Sequence, residues 1–231
     1  MTLRASLLLA ASLITLNTAY AETPSNCITS VSSHSNRANA EAKNYAANVA
    51  WKDLALTPTS VGYGSAAGRE YELTIVDGKV YRVRPDDKGG IEVLTDTPSE
   101  GGAFMLQLAS PQSWKEHSKL DAISSFDDLS FAFDELVDDM GCGDLALIPF
   151  KITGKANKVS WSLDTLPEPL VTDSTDETVT IVGLYNRNEK VRYFMVPGYN
   201  LHAHVVLDGK QQAGHIRDLE LAEGATLYLP E

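Results

Sequence analysis

Three of the five histidines fall within fourteen residues, at His202, His204 and His215 of the segment that runs from Val196-Pro197-Gly198-Tyr199 to His215. His202 and His204 stand two apart in a strand-like pattern, so both side chains project from one face, roughly 6.5–7 Å apart at the backbone. Asp208-Gly209 is a tight-turn signal. If that turn has two residues, Leu207 pairs with Lys210, His215 lies opposite His202, and His204 is its diagonal neighbour. Three imidazoles converging on one face would repel one another when protonated, whereas a metal ion takes them neutral. With no fourth Cys or Asp nearby, a position is left open for a substrate or water, the arrangement of a catalytic or ligand-binding zinc. Copper, nickel or iron would accept the same donors. Gly214 beside His215 points to close backbone approach. His34, in a polar arm, and His117, in a charged loop, read as ordinary surface residues.

The elements that must carry these side chains are mostly strands. Tyr71 to Val76 and Val80 to Val83 flank Asp77-Gly78, a hairpin signal because both turn residues tolerate positive φ. Further strands are expected at Phe104 to Leu108, Leu145 to Ile152, Val179–Tyr185, Val191–Val196, Leu201–Leu207 and Gln211–Leu221. Residues 37–50 are Ala-rich with helical spacing. Ser125 is placed to cap a second helix, whose stripe of Phe126, Leu129, Phe133, Leu136, Val137 and Met140 faces a core. Leu166 to Glu177, rich in Pro, Thr and acidic residues, reads as a surface connection. The fold class is α+β, with two packed β-rich units of mixed sheets and two or three helices. The expected parts are a leader at 1–21, an N-terminal part at 22–165, and a C-terminal part at 166–231 carrying the histidines.

Residues 1–21 have the features of a secretory signal peptide: Arg4, an apolar stretch from Leu7 to Leu16, and Ala19-Tyr20-Ala21 as cleavage site. Cys27 is not in a lipobox context. The expected localisation is therefore periplasmic or secreted, free of the membrane. With 31 acidic against 19 basic residues and no basic cluster, nucleic acid is excluded as a partner. A hydrophobic content of 43% excludes a disordered chain. Cys27 and Cys142 are the two cysteines. In an oxidising compartment they either pair, tying the N-terminal segment to the end of a helix, or stay as two thiols.

With these residues in view, the chain resembles the α-acetolactate decarboxylase family over most of residues 55–221. Val196-Pro197-Gly198-Tyr199, then Leu201-His202-Ala203-His204, then Gly214-His215 and Asp218, is similar to that family's zinc motif. Tyr71-Glu72-Leu73 leading into Asp77-Gly78-Lys79-Val80-Tyr81 is similar to a second conserved stretch of the family. The same histidine pattern also resembles the shorter PPC domain, which carries no implication of catalysis.

The resemblance implies a mixed α/β two-domain fold and a zinc-dependent carbon–carbon lyase that converts 2-acetolactate, or a related 2-hydroxy-3-oxo acid, to acetoin and carbon dioxide. Zinc would sit on His202, His204 and His215, and Glu72 would return a proton to carbon. Two departures stand out. Ser162 occupies the position of an arginine that would hold the substrate carboxylate, leaving Arg82, Arg84 or Arg192 to replace it in space. The tail that brings a second glutamate to the family's site has no counterpart, and Glu231 does not match it. Two alternatives stay open: a non-catalytic metal- and small-ligand-binding protein of the same fold, and a different zinc lyase or hydrolase. The expected partner is a small hydroxy-keto acid, and a homodimer is compatible with the sequence.

Overall fold

The computed structural model describes residues 27–96, 98–189 and 195–231. The expected leader, Arg192 and most of the strand expected at 191–196 lie outside the described residues. Among the described residues no helix is long and apolar enough to cross a membrane.

Two antiparallel sheets, rather than mixed ones, make up the α+β fold. The first contains β1 (Val31–His34), β2 (Val49–Ala50), β3 (Val61–Ala66), β4 (Glu72–Val76), β5 (Lys79–Pro85), β6 (Ile91–Leu94) and β7 (Gly102–Ala109). Its order is β1-β7-β3-β4-β5-β6, with β2 also on the edge of β7. The second contains β8 (Trp114–Lys119), β9 (Leu147–Leu163), β10 (Leu170–Asn186), β11 (Leu201–Leu207), β12 (Gln212–Leu221) and β13 (Thr226–Pro230). Here β9 pairs with β10 along one edge and with β12 and β13 along the other, while β11 bridges β10 and β12. The circuit β9-β10-β11-β12 therefore closes on itself, so β11 and β12 have partners on both sides.

Each sheet is continuous in sequence, and the change from one to the other falls at 110–113. The division expected at 165/166 is instead the turn of the β9–β10 hairpin, which pairs from Leu163↔Leu170 to Leu147↔Asn186. The stretch expected to be a surface connection is largely strand. Its Thr and acidic residues are mostly exposed along β10, so polarity that suggested a loop belongs to solvent-facing positions of a ladder. The helix expected over 37–50 is reduced to α1 (Arg37–Glu41). Beyond it, Asn48 donates from its side chain to Phe104 O at 2.6 Å, and Val49–Ala50 add to β7, so sheet pairing outweighs alanine's helix preference. His34 is in β1 and His117 in β8, not in an arm and a loop, and neither joins the other histidines.

The β4–β5 hairpin turns at Asp77-Gly78, with φ of 49° and 77°, as its sequence requires. A side chain at Gly78 would also meet the Thr57 carbonyl at 2.4 Å. α2 (Phe126–Asp139) starts at Ser125, whose Oγ accepts from Asp128 N–H at 3.1 Å. Its buried face of Phe126, Leu129, Phe133 and Val137 packs in the larger core, where Phe133 meets the Phe150 ring at 4.4 Å. Asp218, part of the histidine motif, does a structural job: its carboxylate accepts from Phe126 N–H at 2.9 Å and satisfies an otherwise orphaned donor at the start of α2. Cys27 and Cys142 form a disulfide that ties the segment before β1 to the end of α2.

Candidate metal centre

β11 and β12 bring the three histidines together, with one difference from the expected pairing. The connection holds four residues, Asp208 to Gln211, with Gln211 taking the positive φ (55°), and Leu207 pairs with Gln212. His215 thus opposes His204, and His202 is the diagonal neighbour. A two-residue shift keeps every side chain on its face, so the convergence survives the change of register. The ring centroids are 4.5 Å apart for His202–His215 and 5.4 Å for the other two pairs. One nitrogen from each ring lies within 4.8 Å of the others. Gly214 makes the close approach its position implied: a Cβ there would come 2.6 Å from both the Ser162 carbonyl and the Trp161 ring.

The first sheet supplies the facing wall. Tyr63 of β3 stacks on His202 at 4.1 Å and His204 at 5.2 Å. Thr74 of β4 is 2.9 Å from His204 Nδ1 through its hydroxyl. His215 Nδ1 is 3.2 Å from a carboxylate oxygen of Asp164. With the Nδ1 atoms occupied, the Nε2 atoms of these two rings are left to face the pocket. His215 Nε2 is buried and has no hydrogen-bond partner among the described residues, as suits a metal ligand. His204 is 1% exposed, and burial together with its neighbours His215, His202 and Arg217 holds its pKa well below the usual imidazole range. It is therefore neutral, the form that binds metal. The donor set and its polar supports fit a metal ion.

Glu72, at the start of β4, reaches the same pocket. Its Oε1 lies 3.6 Å from His204 Nε2 and its Oε2 accepts from Asp164 N–H at 2.9 Å. Burial, reinforced by the Asp164 carboxylate, pushes its pKa up to about 8, so the acid carries its proton at neutral pH. Asp164 behaves oppositely. Burial raises its pKa, but the hydrogen bond to His215, with the Arg217 guanidinium, outweighs that and holds it well below the usual carboxylate range.

The pocket has a volume of about 220 Å³, with Met105, Met195, Val196 and Pro197 as its apolar side. Two arginines line it among the described residues, Arg69 and Arg217. Neither is among the replacements expected for the arginine absent at Ser162. Arg82 pairs with Asp96 at 2.8 Å and Arg84 with Glu92 at 2.5 Å, both away from the pocket. Arg217 instead donates through Nε to Ser162 Oγ at 2.8 Å and through Nη2 to Asp164 at 2.6 and 2.8 Å. A register shift between Ile216 and Asp218 makes Arg217 a bulge residue, which turns its side chain toward Ser162. Glu231 binds Ser113 at 2.7 Å, remote from the pocket.

No protein-family model matches the chain, and no curated protein matches it in sequence. Solved structures do. Acetolactate decarboxylase from Bacillus subtilis subspecies spizizenii superposes with a TM-score of 0.63 at 18% identity, over 80% of this chain and 79% of that one. A protein of unknown function from Staphylococcus aureus, described as similar to α-acetolactate decarboxylase, gives a TM-score of 0.64 at 17% identity, over 86% and 84%. The α-acetolactate decarboxylase of Bacillus subtilis strain 168 gives 0.61 at 17% identity, over 81% and 80%. The chain is built on the acetolactate decarboxylase fold.

Proposed function

We propose that the protein is an exported, zinc-dependent decarboxylase of a small 2-hydroxy-3-oxo acid, with 2-acetolactate as substrate and acetoin and carbon dioxide as products. The observation that carries this reading is the meeting, in one small pocket, of three histidines, a buried glutamate and two guanidinium groups. The fold likeness to acetolactate decarboxylases supports the choice of substrate. The disulfide and the leader-like residues 1–21 support export.

His202, His204 and His215 would hold the zinc, which would supply Lewis acidity to the bound acid. Arg69 and Arg217 stand where a carboxylate can be gripped, the role for which Ser162 is unsuited. Met105, Met195, Val196 and Pro197 cover the alkyl side and keep water from the reacting carbon. When the carboxyl carbon–carbon bond breaks, carbon dioxide leaves and the electron pair stays with the carbon skeleton. Glu72 then returns a proton to that carbon and is reprotonated from solvent.

The test is acetoin formation from racemic 2-acetolactate by purified, zinc-analysed protein, with His204→Ala as control. Turnover that disappears in the control supports the decarboxylase. Stoichiometric zinc without turnover replaces it with a metal- and ligand-binding role.

A further inference from the structure

Asp164, the first residue after β9, touches more of the pocket than any of the residues named above for its chemistry. Its carboxylate meets His215 Nδ1 at 3.2 Å and Arg217 Nη2 at 2.6 and 2.8 Å, and it accepts from Ser162 Oγ at 3.1 Å. Its backbone N–H donates to Glu72 Oε2 at 2.9 Å, and its carbonyl accepts from Arg69 Nη2 at 2.5 Å. An ionised carboxylate only accepts hydrogen bonds, so the His215 nitrogen facing it must carry the hydrogen. A neutral imidazole with its hydrogen on Nδ1 has its lone pair on Nε2, which is the buried atom without a partner among the described residues. His204 is different, because the Thr74 hydroxyl facing its Nδ1 can donate or accept and does not by itself select a tautomer.

We propose that Asp164 is the positioning residue of this site: it fixes His215 in the tautomer that presents Nε2 to a metal and, through the same carboxylate, holds Arg217 over Ser162. The inference rests on the three histidines being a metal site. It adds a residue whose carboxylate acts on the metal through His215 and on a bound anion through Arg217, without touching either. Its side chain is 28% exposed, at the pocket margin rather than in the core, so its replacement removes hydrogen bonds without opening a cavity.

Two measurements test it. Long-range proton–nitrogen correlation spectra of the metal-free protein are expected to show His215 with its hydrogen on Nδ1 in the wild type, and a changed or mixed tautomer in Asp164→Asn. Zinc affinity by competition with a chromophoric chelator is expected to fall about 10- to 100-fold in Asp164→Asn, with part of the loss restored in Asp164→Glu. An Nε2-protonated His215 in the wild type overturns the proposal, as does unchanged zinc affinity in a folded Asp164→Asn. If the wild type binds no zinc at all, the metal reading fails instead, and the tautomer spectra still decide the role of Asp164. Should Asp164→Asn not fold, the wild-type spectrum and the Asp164→Glu affinity carry the same decision.

Discussion

The Nε of Arg217 lies 2.8 Å from the Ser162 hydroxyl, so a guanidinium from β12 occupies the space above a serine of β9. Ser162 pairs with His215, two residues before Arg217, which places all three on one patch of sheet.

If this guanidinium grips the substrate carboxylate, Arg217→Ala is expected to lower kcat/KM about 10- to 100-fold, mostly through KM, the loss of one charge-assisted contact. Arg217→Lys should restore little, because an ammonium lacks the planar fork. Steady-state kinetics of both variants decide this, and an unchanged KM would remove Arg217 from substrate binding.

Glu72→Gln keeps the shape of the side chain and removes its acid. Turnover is expected to fall about 100- to 10,000-fold while one zinc per chain is retained, because Glu72 is beside the histidines without being one of the ligands. Metal analysis alongside acetoin assays checks both halves, and normal turnover would exclude Glu72 as the proton donor.

The same residue predicts a pH effect on stability in metal-free protein. Glu72 has a folded-state pKa of about 8 against an ordinary value of 4.5, so between these values the folded chain keeps a proton that the unfolded chain has released. Its contribution is complete below about pH 4.5 and is lost as pH rises through about 8. Thermal unfolding of metal-free protein from about pH 5 to about pH 8 should show this decline, and it should flatten in Glu72→Gln. Parallel curves for the two proteins would refute the assignment.

His204→Ala removes the most buried of the three ligands and leaves the Thr74 hydroxyl facing a void. Zinc affinity is expected to fall by more than about 100-fold, a larger loss than a supporting residue gives. Retention of stoichiometric zinc, measured after dialysis against a chelator, would sink the three-histidine site.

The Cys27–Cys142 bridge closes a loop with a sequence separation of 115 residues, and restricting so long a loop in the unfolded chain is worth up to about 4–5 kcal/mol. Reduction should raise the intact mass by about 2 Da and lower the melting temperature by several degrees. A mass that does not change on reduction would show free thiols.

Alternation and turn residues made much of the site legible in advance. Period-two spacing puts His202 and His204 on one face whatever the register. The true connection at Asp208 to Gln211 differs from a two-residue turn by an even number, so His215 stays with them. The same spacing reaches Asp164 from Ser162, so the sequence carries a signal for it. Arg217 was harder to find, since its direction depends on a bulge that no local pattern announces. Composition misled where tertiary pairing decided. The acidic, Thr-rich start of β10 looks like a connection until β9 is laid beside it, and the Ala-rich stretch after Arg37 looks helical until β7 claims Val49 and Ala50.

The pocket draws its two halves from different sheets, and this divides its mechanics. The backbone spacing between His204 and His215 is set by register within a closed ring of strands. The distance from Glu72 to His204 is instead an inter-layer gap, held by the Thr74 and Asp164 hydrogen bonds and the stacked Tyr63 ring. Substitutions that slide one layer over the other would therefore move the Glu72 acid and the Thr74 support of His204 together, while the backbone positions of the three histidines stay fixed within the ring.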